Sequence, residues 1–263
     1  MKDYIKINRN AWNHKTAVHI DSEFYDNEVF LNGKNSLKSI ELNLLGDITG
    51  KSVLHLQCHF GQDSISLFRM GAKVTAIDLS DKAIEKAKEF AKITETDVEF
   101  ICCDIYDLPD FLDKKFDIVF TSYGVIGWLP NLEKWAKIVS RYLKPNGRFI
   151  FVEFHPFAWV FDDEFTGIQY NYFNTETIEE EMSGSYADRE ADITYETVSW
   201  NHSIGEILNN LINQGVEIKS FDEFDYSPYN CFKNMVKIEE DKYRIKSVGD
   251  KLPMVFGLEG IKK

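Results

Sequence analysis

The sequence predicts an α/β protein with a doubly wound parallel sheet covered by helices on both faces. Three observations carry this. Five strand-like apolar runs, KSVLHLQ, AKVTAIDLS, DVEFICCD, FDIVFTSYG and GRFIFVEFH, fall between residues 51 and 155. Helix-like segments long enough to act as crossovers lie among them, which parallel pairing requires. The same rhythm of helix and strand returns after residue 200, following a stretch of different composition.

In chain order, residues 1–50 precede the sheet and carry two helices, read as a cap. KSVLHLQ is the first strand and Gly61 to Gly71 a short helix. After AKVTAIDLS comes a charged amphipathic helix from Asp81 to Thr94, with Ser80 as N-cap because its hydroxyl oxygen can accept from a first-turn N–H. A helix from about Leu132 to Leu143 ends before the KPNG turn and the strand GRFIFVEFH. Residues 156–199 then hold eleven acidic residues against one basic residue, Arg189, together with nine aromatics. So many aromatics argue against disorder, and the segment reads as an insertion covering the site. From 200 to 263, a helix near Ser203 to Gln214 stopped by Gly215, then VEIKSFDEF and PMVFGLEGIKK, complete the sheet. No repeat or linker divides residues 1–263, so one domain is expected: cap 1–50, cofactor core 51–155, insertion 156–199 and closing part 200–263.

A hydrophobic content of 44% with 28% charged residues suits a soluble globular chain. No apolar run reaches the roughly 18 residues of a membrane helix, and MKDYIKINRN lacks the apolar stretch of a signal peptide. A cytoplasmic protein with no membrane partner is expected. The net charge of −13 opposes nucleic acid, whose binding depends on lysine and arginine. Cys58, Cys102, Cys103 and Cys231 have no paired spacing and are read as reduced, buried thiols.

The stretch HLQCHFGQDS follows the first strand, where open parallel sheets bind ligands. Asp78 closes the next strand 17 residues beyond Gly61, where such folds set a carboxylate against a pair of ribose hydroxyls. A diphosphate needs G-x-G-x-x-G so that backbone amides can crowd it. Here Gln57 and His59 stand in the loop and only Gly61 is glycine, which favours a phosphate-free nucleoside over a nicotinamide dinucleotide. His55, Cys58 and His59 are all zinc-ligand types, but on a strand end they point in different directions, so no metal is expected.

VLHLQCHFGQDS, VTAIDLSDKAIEKAKE, CDIYDLP, FDIVFTSYGVIGWLPNLEKW and YLKPNGRFIFVEFHP, in that order, resemble the class I S-adenosylmethionine-dependent methyltransferases, especially bacterial small-molecule members. The likeness is good over about residues 40–155 and loose over 200–260. It implies a Rossmann-like seven-stranded sheet whose last strand is antiparallel. It also implies that Gln57, Cys58, His59, Phe60 and Gly61 wrap the methionine part, that Asp78 holds the ribose and that Leu79 packs on the adenine. Asp104 and Ile105 would meet the adenine amino edge, and Ser122 and Tyr123 would line the cleft. The chain departs from the family's acidic-x-G-x-G-x-G motif, with His55, Gln57 and His59 at the acidic and first two glycine positions.

Methyl transfer to a small-molecule acceptor is an in-line displacement on an activated sulfonium, so holding two reactants aligned and dry is most of the task. For an acceptor that must lose a proton, histidine is the natural base; His155 and then His202 are the candidates. Trp12 and Tyr25 before the sheet and Trp200 after the insertion are read as lid or substrate contacts. The insertion's rings suit a flat or cationic acceptor. The alternatives are a sensor that binds S-adenosylmethionine without turnover and a nicotinamide-dependent oxidoreductase.

Overall fold

The structure is a computed structural model that describes residues 3–263, so the first two residues of the expected cap lie outside it. Its first helices are α1 (Tyr4–Ile20), α2 (Asn27–Leu31) and α3 (Ser39–Leu45), one more than expected before the sheet. Then come β1 (Ser52–Leu56), α4 (Gln62–Arg69), β2 (Lys73–Asp78), α5 (Asp81–Ile93), β3 (Glu99–Cys102), β4 (Phe116–Ser122), α6 (Leu132–Tyr142) and β5 (Leu143–Phe154). The remainder is β6 (Ile178–Ser183), β7 (Thr194–Ser199), α7 (Ile204–Asn213), β8 (Val216–Phe224), β9 (Met235–Glu239), β10 (Lys242–Ile245) and β11 (Val255–Lys262).

Seven strands form one sheet in the order β3-β2-β1-β4-β5-β11-β8, with β11 antiparallel to both its neighbours. This is the expected Rossmann-like sheet with an antiparallel last strand. Strand order reverses between β1 and β4, which are paired in parallel. The crevice outside their carboxyl ends is therefore the ligand position of such a sheet.

Side-chain parity divides the core into two layers. Leu54, Leu56, Val119, Phe149 and Phe151 point to the face covered by α6 and α7, whereas Val53, Phe120 and Ile150 point to the face covered by α3 and α4. On α5, Ala83, Ile84, Ala87, Phe90 and Ala91 make one buried stripe, the i, i+4, i+7 pattern of an amphipathic helix. Ser80 caps it, its Oγ accepting from Ala83 N at 3.0 Å. Among the described residues no helix is long and apolar enough to cross a membrane. The cysteines depart from expectation at one place. Cys58 and Cys103 are buried and Cys231 half-buried, but Cys102 is exposed because it sits on the edge strand β3.

Residues 156–199 contain the antiparallel hairpin β6–β7. Helix α1 docks on it through Asn8, whose Nδ2 donates to Val198 O at 2.7 Å and whose Oδ1 accepts from Val198 N at 2.9 Å. One buried amide thus acts as a strand partner for β7. His19 Nε2 lies 2.7 Å from Ser185 Oγ, and the hydroxyls of Tyr25 and Tyr186 are 2.5 Å apart. The amino-terminal segment and the hairpin together roof the carboxyl end of the sheet.

Candidate active site

Under this roof lies a cleft of about 940 Å³. The loop from Gln57 to Gly61 forms its floor at the end of β1. Gln57 (φ 56°), His59 (φ 51°) and Gly61 (φ 81°) all have left-handed backbone, so the loop keeps the path that glycines would give it. Each non-glycine residue there costs about 1–3 kcal/mol, which local contacts offset. Gln57 Nε2 donates to Val125 O at 2.9 Å, and the His59 ring packs on Trp12, His19, Tyr25 and Phe60. At Gly61 no side chain fits, since a Cβ would come within 2.8 Å of the Phe100 ring.

Asp78 ends β2 facing the cleft. Its Oδ2 accepts from His59 N at 2.8 Å and its Oδ1 from Ser80 N at 2.8 Å. Burial raises its pKa to about 6, against the lowering effect of these amides. Leu79, Asp104 and Ile105 line the same end. Asp104 also caps the 3-10 turn that follows it, its Oδ1 accepting from Tyr106 N at 2.7 Å. Cys58 and Phe60 line the floor as well; burial pushes the Cys58 thiol well above its ordinary range, so it is no nucleophile. His55 lies in the core behind, with Nδ1 2.8 Å from Ser64 Oγ, and burial lowers it to about 3. Among the described residues no three His, Cys, Asp or Glu side chains are grouped to hold a metal.

Ser122 and Tyr123 follow β4 along the opposite wall. Ser122 Oγ donates to Asp63 Oδ2 at 3.3 Å, and Tyr123 OH donates to Glu41 Oε2 at 2.8 Å. Burial, with the Asp63 charge adding, raises Glu41 to about 7. Glu153 is 1% exposed, and its carboxylate accepts from Val125 N at 2.8 Å, Ile126 N at 3.2 Å, Phe154 N at 2.7 Å and also Gly124 N. It fixes the turn that carries Trp128. Sequence reasoning missed Asn8, Lys15, Glu41, Asp63 and Glu153. The one available signal was Glu153, a carboxylate inside an otherwise apolar strand run.

The two histidines proposed as bases are not presented as such. His155 does not line the cleft. Its Nδ1 accepts from Phe157 N at 3.1 Å and its Nε2 lies 2.8 Å from Glu223 on β8, because residue 155 follows the strand with its side chain turned toward β8. Burial lowers its pKa, opposed by the Glu223 charge. His202 does line the cleft, but its Nε2 sits 2.8 Å from Leu129 O and its Nδ1 3.1 Å from Glu206, so both ring nitrogens are engaged. Trp12, Tyr25 and Trp200 all line the cleft from the roof. Trp200 Nε1 donates to Thr177 Oγ1 at 3.1 Å.

Residues 54–151 match a family model described as a methyltransferase domain. The chain is 34% identical over 131 residues to an uncharacterized methyltransferase of Synechocystis sp., covering 49% of this chain and 59% of that protein. It is 31% identical over 115 residues to a ubiquinone biosynthesis O-methyltransferase of Coxiella burnetii, covering 44% and 47% respectively. The chain thus spans about half the length of the curated relatives it matches. Among solved structures, an S-adenosylmethionine-dependent methyltransferase of Mesorhizobium loti superposes with a TM-score of 0.58 at 18% identity, covering 88% of this chain and all of that one. One from Clostridium acetobutylicum gives 0.57 at 19% identity over 97% and 98%. These likenesses show a methyltransferase-domain match over residues 54–151 and, with the sheet order, the fold of the solved S-adenosylmethionine-dependent methyltransferases.

Proposed function

We propose that the chain is an S-adenosylmethionine-dependent methyltransferase acting on a small-molecule acceptor beneath the roof of α1 and the β6–β7 hairpin. The carrying observation is the pair formed by the left-handed Gln57–Gly61 loop and the Asp78 carboxylate at adjacent strand ends. The residues present suit the cofactor. Gln57 Oε1 is buried in the cleft floor without a hydrogen-bond partner and is suited to accept from an amino group. Asp78 retains lone pairs for two hydroxyls. Leu79 and Ile105 supply apolar surface for the adenine, and Asp104 an acceptor for its amino edge. When bound, S-adenosylmethionine supplies a methyl group activated by a sulfonium. The chain's own part is alignment and exclusion of water by Trp12, Tyr25 and Trp200. With His155 outside the cleft and His202 engaged at both nitrogens, neither is assigned base work. The relatives named for ubiquinone biosynthesis and for sterol 4-C-methylation support a small-molecule acceptor.

Calorimetric titration with S-adenosylhomocysteine and with NADH tests the cofactor, and a screen of amine, phenol and acid acceptors tests the transfer. Binding of the nucleoside with turnover of at least one acceptor is expected. Tight NADH binding would overturn the reading, and binding without turnover would favour a sensor. The pH dependence has a fixed sign. Asp78 accepts from ribose hydroxyls as a carboxylate and titrates at about 6, so affinity for S-adenosylhomocysteine should fall as pH drops through 6. The fall approaches roughly tenfold per pH unit once Asp78 is protonated. A flat profile from pH 7 to pH 5 would remove Asp78 from the contact.

A further inference from the structure

Lys15 is the one lysine on the buried side of α1, and it is 7% exposed. Its Nζ lies 4.7 Å from the Trp12 ring centroid, 4.8 Å from that of Trp128 and 5.3 Å from that of Tyr195. The aromatic walls that would suit a cationic ligand are thus already occupied by the chain's own ammonium. Ring faces stabilise a cation by about 0.5–2 kcal/mol each. They leave its three N–H donors without directed acceptors. Burial lowers Lys15 to about 8, so it remains cationic at neutral pH. The chain has 43 acidic residues, yet among the described residues none is paired with Lys15, and no acidic charge perturbs it. Its ionisable neighbours His19 and His59 are pushed down by burial with the Lys15 charge adding, and so bring no counter-charge. Buried charges in proteins are almost always paired. Lys15 lines the cleft, so the missing partner has a place to sit.

We propose that the methyl acceptor carries an anionic group, a carboxylate or phosphate, that seats on Lys15 inside the Trp12–Trp128–Tyr195 cage. The inference rests on the transferase reading above and adds the acceptor's chemical class. Of the cage walls, Trp12 packs on His59 of the loop after β1, whereas Trp128 stands on the turn after β4 and Tyr195 on β7 of the roof; the two walls away from that loop favour the acceptor as the source of the anion.

The test uses the full chain saturated with S-adenosylhomocysteine, titrated with benzoate, its neutral isostere benzamide and inorganic phosphate. Calorimetry and the fluorescence of Trp12 and Trp128 provide the readout. Benzoate or phosphate should bind at least ten times more tightly than benzamide. K15M and K15Q should abolish that preference and K15R should retain it, with affinity for S-adenosylhomocysteine within twofold of the parent in all three. Equal, weak binding of all three probes to the parent chain overturns the proposal. A tenfold loss of S-adenosylhomocysteine affinity in a folded K15M or K15Q also overturns it, assigning Lys15 to the cofactor's own carboxylate. Should neither neutral variant fold, the parent chain's benzoate-to-benzamide preference decides as pH rises through 8: it should fade as Lys15 loses its proton, and an unchanged preference at pH 10 overturns the proposal. Failure of the parent chain to bind S-adenosylhomocysteine at all is read in the same titration, and it sinks the transferase reading rather than the charge argument.

Discussion

Asp78→Ala is expected to weaken S-adenosylhomocysteine binding by at least about 100-fold, read by calorimetry at pH 7.5. Two hydroxyls bonded to one carboxylate contribute about 1.5–3 kcal/mol each, and 1.4 kcal/mol is tenfold in affinity. The loss has a second source. Asp78 also accepts from the backbone amides of His59 and Ser80, so its removal frees the loop that forms the floor and unties the start of α5. The fold should survive, because Asp78 is a partly exposed strand-end residue whose burial as a charge is itself unfavourable, as its raised pKa reports. Unchanged affinity in the variant would mean that the ribose lies elsewhere.

Glu153→Ala is expected to have the largest effect on stability, lowering it by about 3 kcal/mol or more in chemical denaturation. Truncation leaves the amides of Gly124, Val125, Ile126 and Phe154 facing an apolar void. Each buried donor without an acceptor costs about 1–3 kcal/mol. Relief from burying the carboxylate, whose pKa burial raises against these four bonds, offsets only part of this. Because the turn at Gly124–Ile126 leads to Trp128, the folded fraction of the variant should also lose ligand affinity. A variant as stable as the parent would show that water or a backbone shift satisfies the turn.

The core of the fold was legible in the sequence because its signals are local. The apolar runs from Val53 to Phe154, the Ser80 cap and the acidic end of β2 each declare themselves within a few residues. The roof was legible in position but its strands were not. Strand β6 reads IEEEMS, and its glutamates mask a half-buried strand whose pairing to TYETVS is set by the hairpin itself. The hairpin β9–β10 was hidden by its charge in the same way. The loop after β1 was legible in position but not in conformation. Left-handed backbone at Gln57 and His59 is held by Val125 and by the rings around His59, contacts that only the folded chain supplies. His155 shows the converse limit. A histidine closing a parallel strand is well placed by sequence, but the antiparallel neighbour β11 and Glu223 on β8 take its side chain out of the cleft.

The Asn8 amide bonded to both backbone groups of Val198, the hydroxyl pair Tyr25–Tyr186 and the His19–Ser185 contact join parts of the chain more than 160 residues apart. Neither flap can swing away alone without breaking all of these links at once. Opening that side therefore requires either that these bonds break or that both flaps lift as one piece.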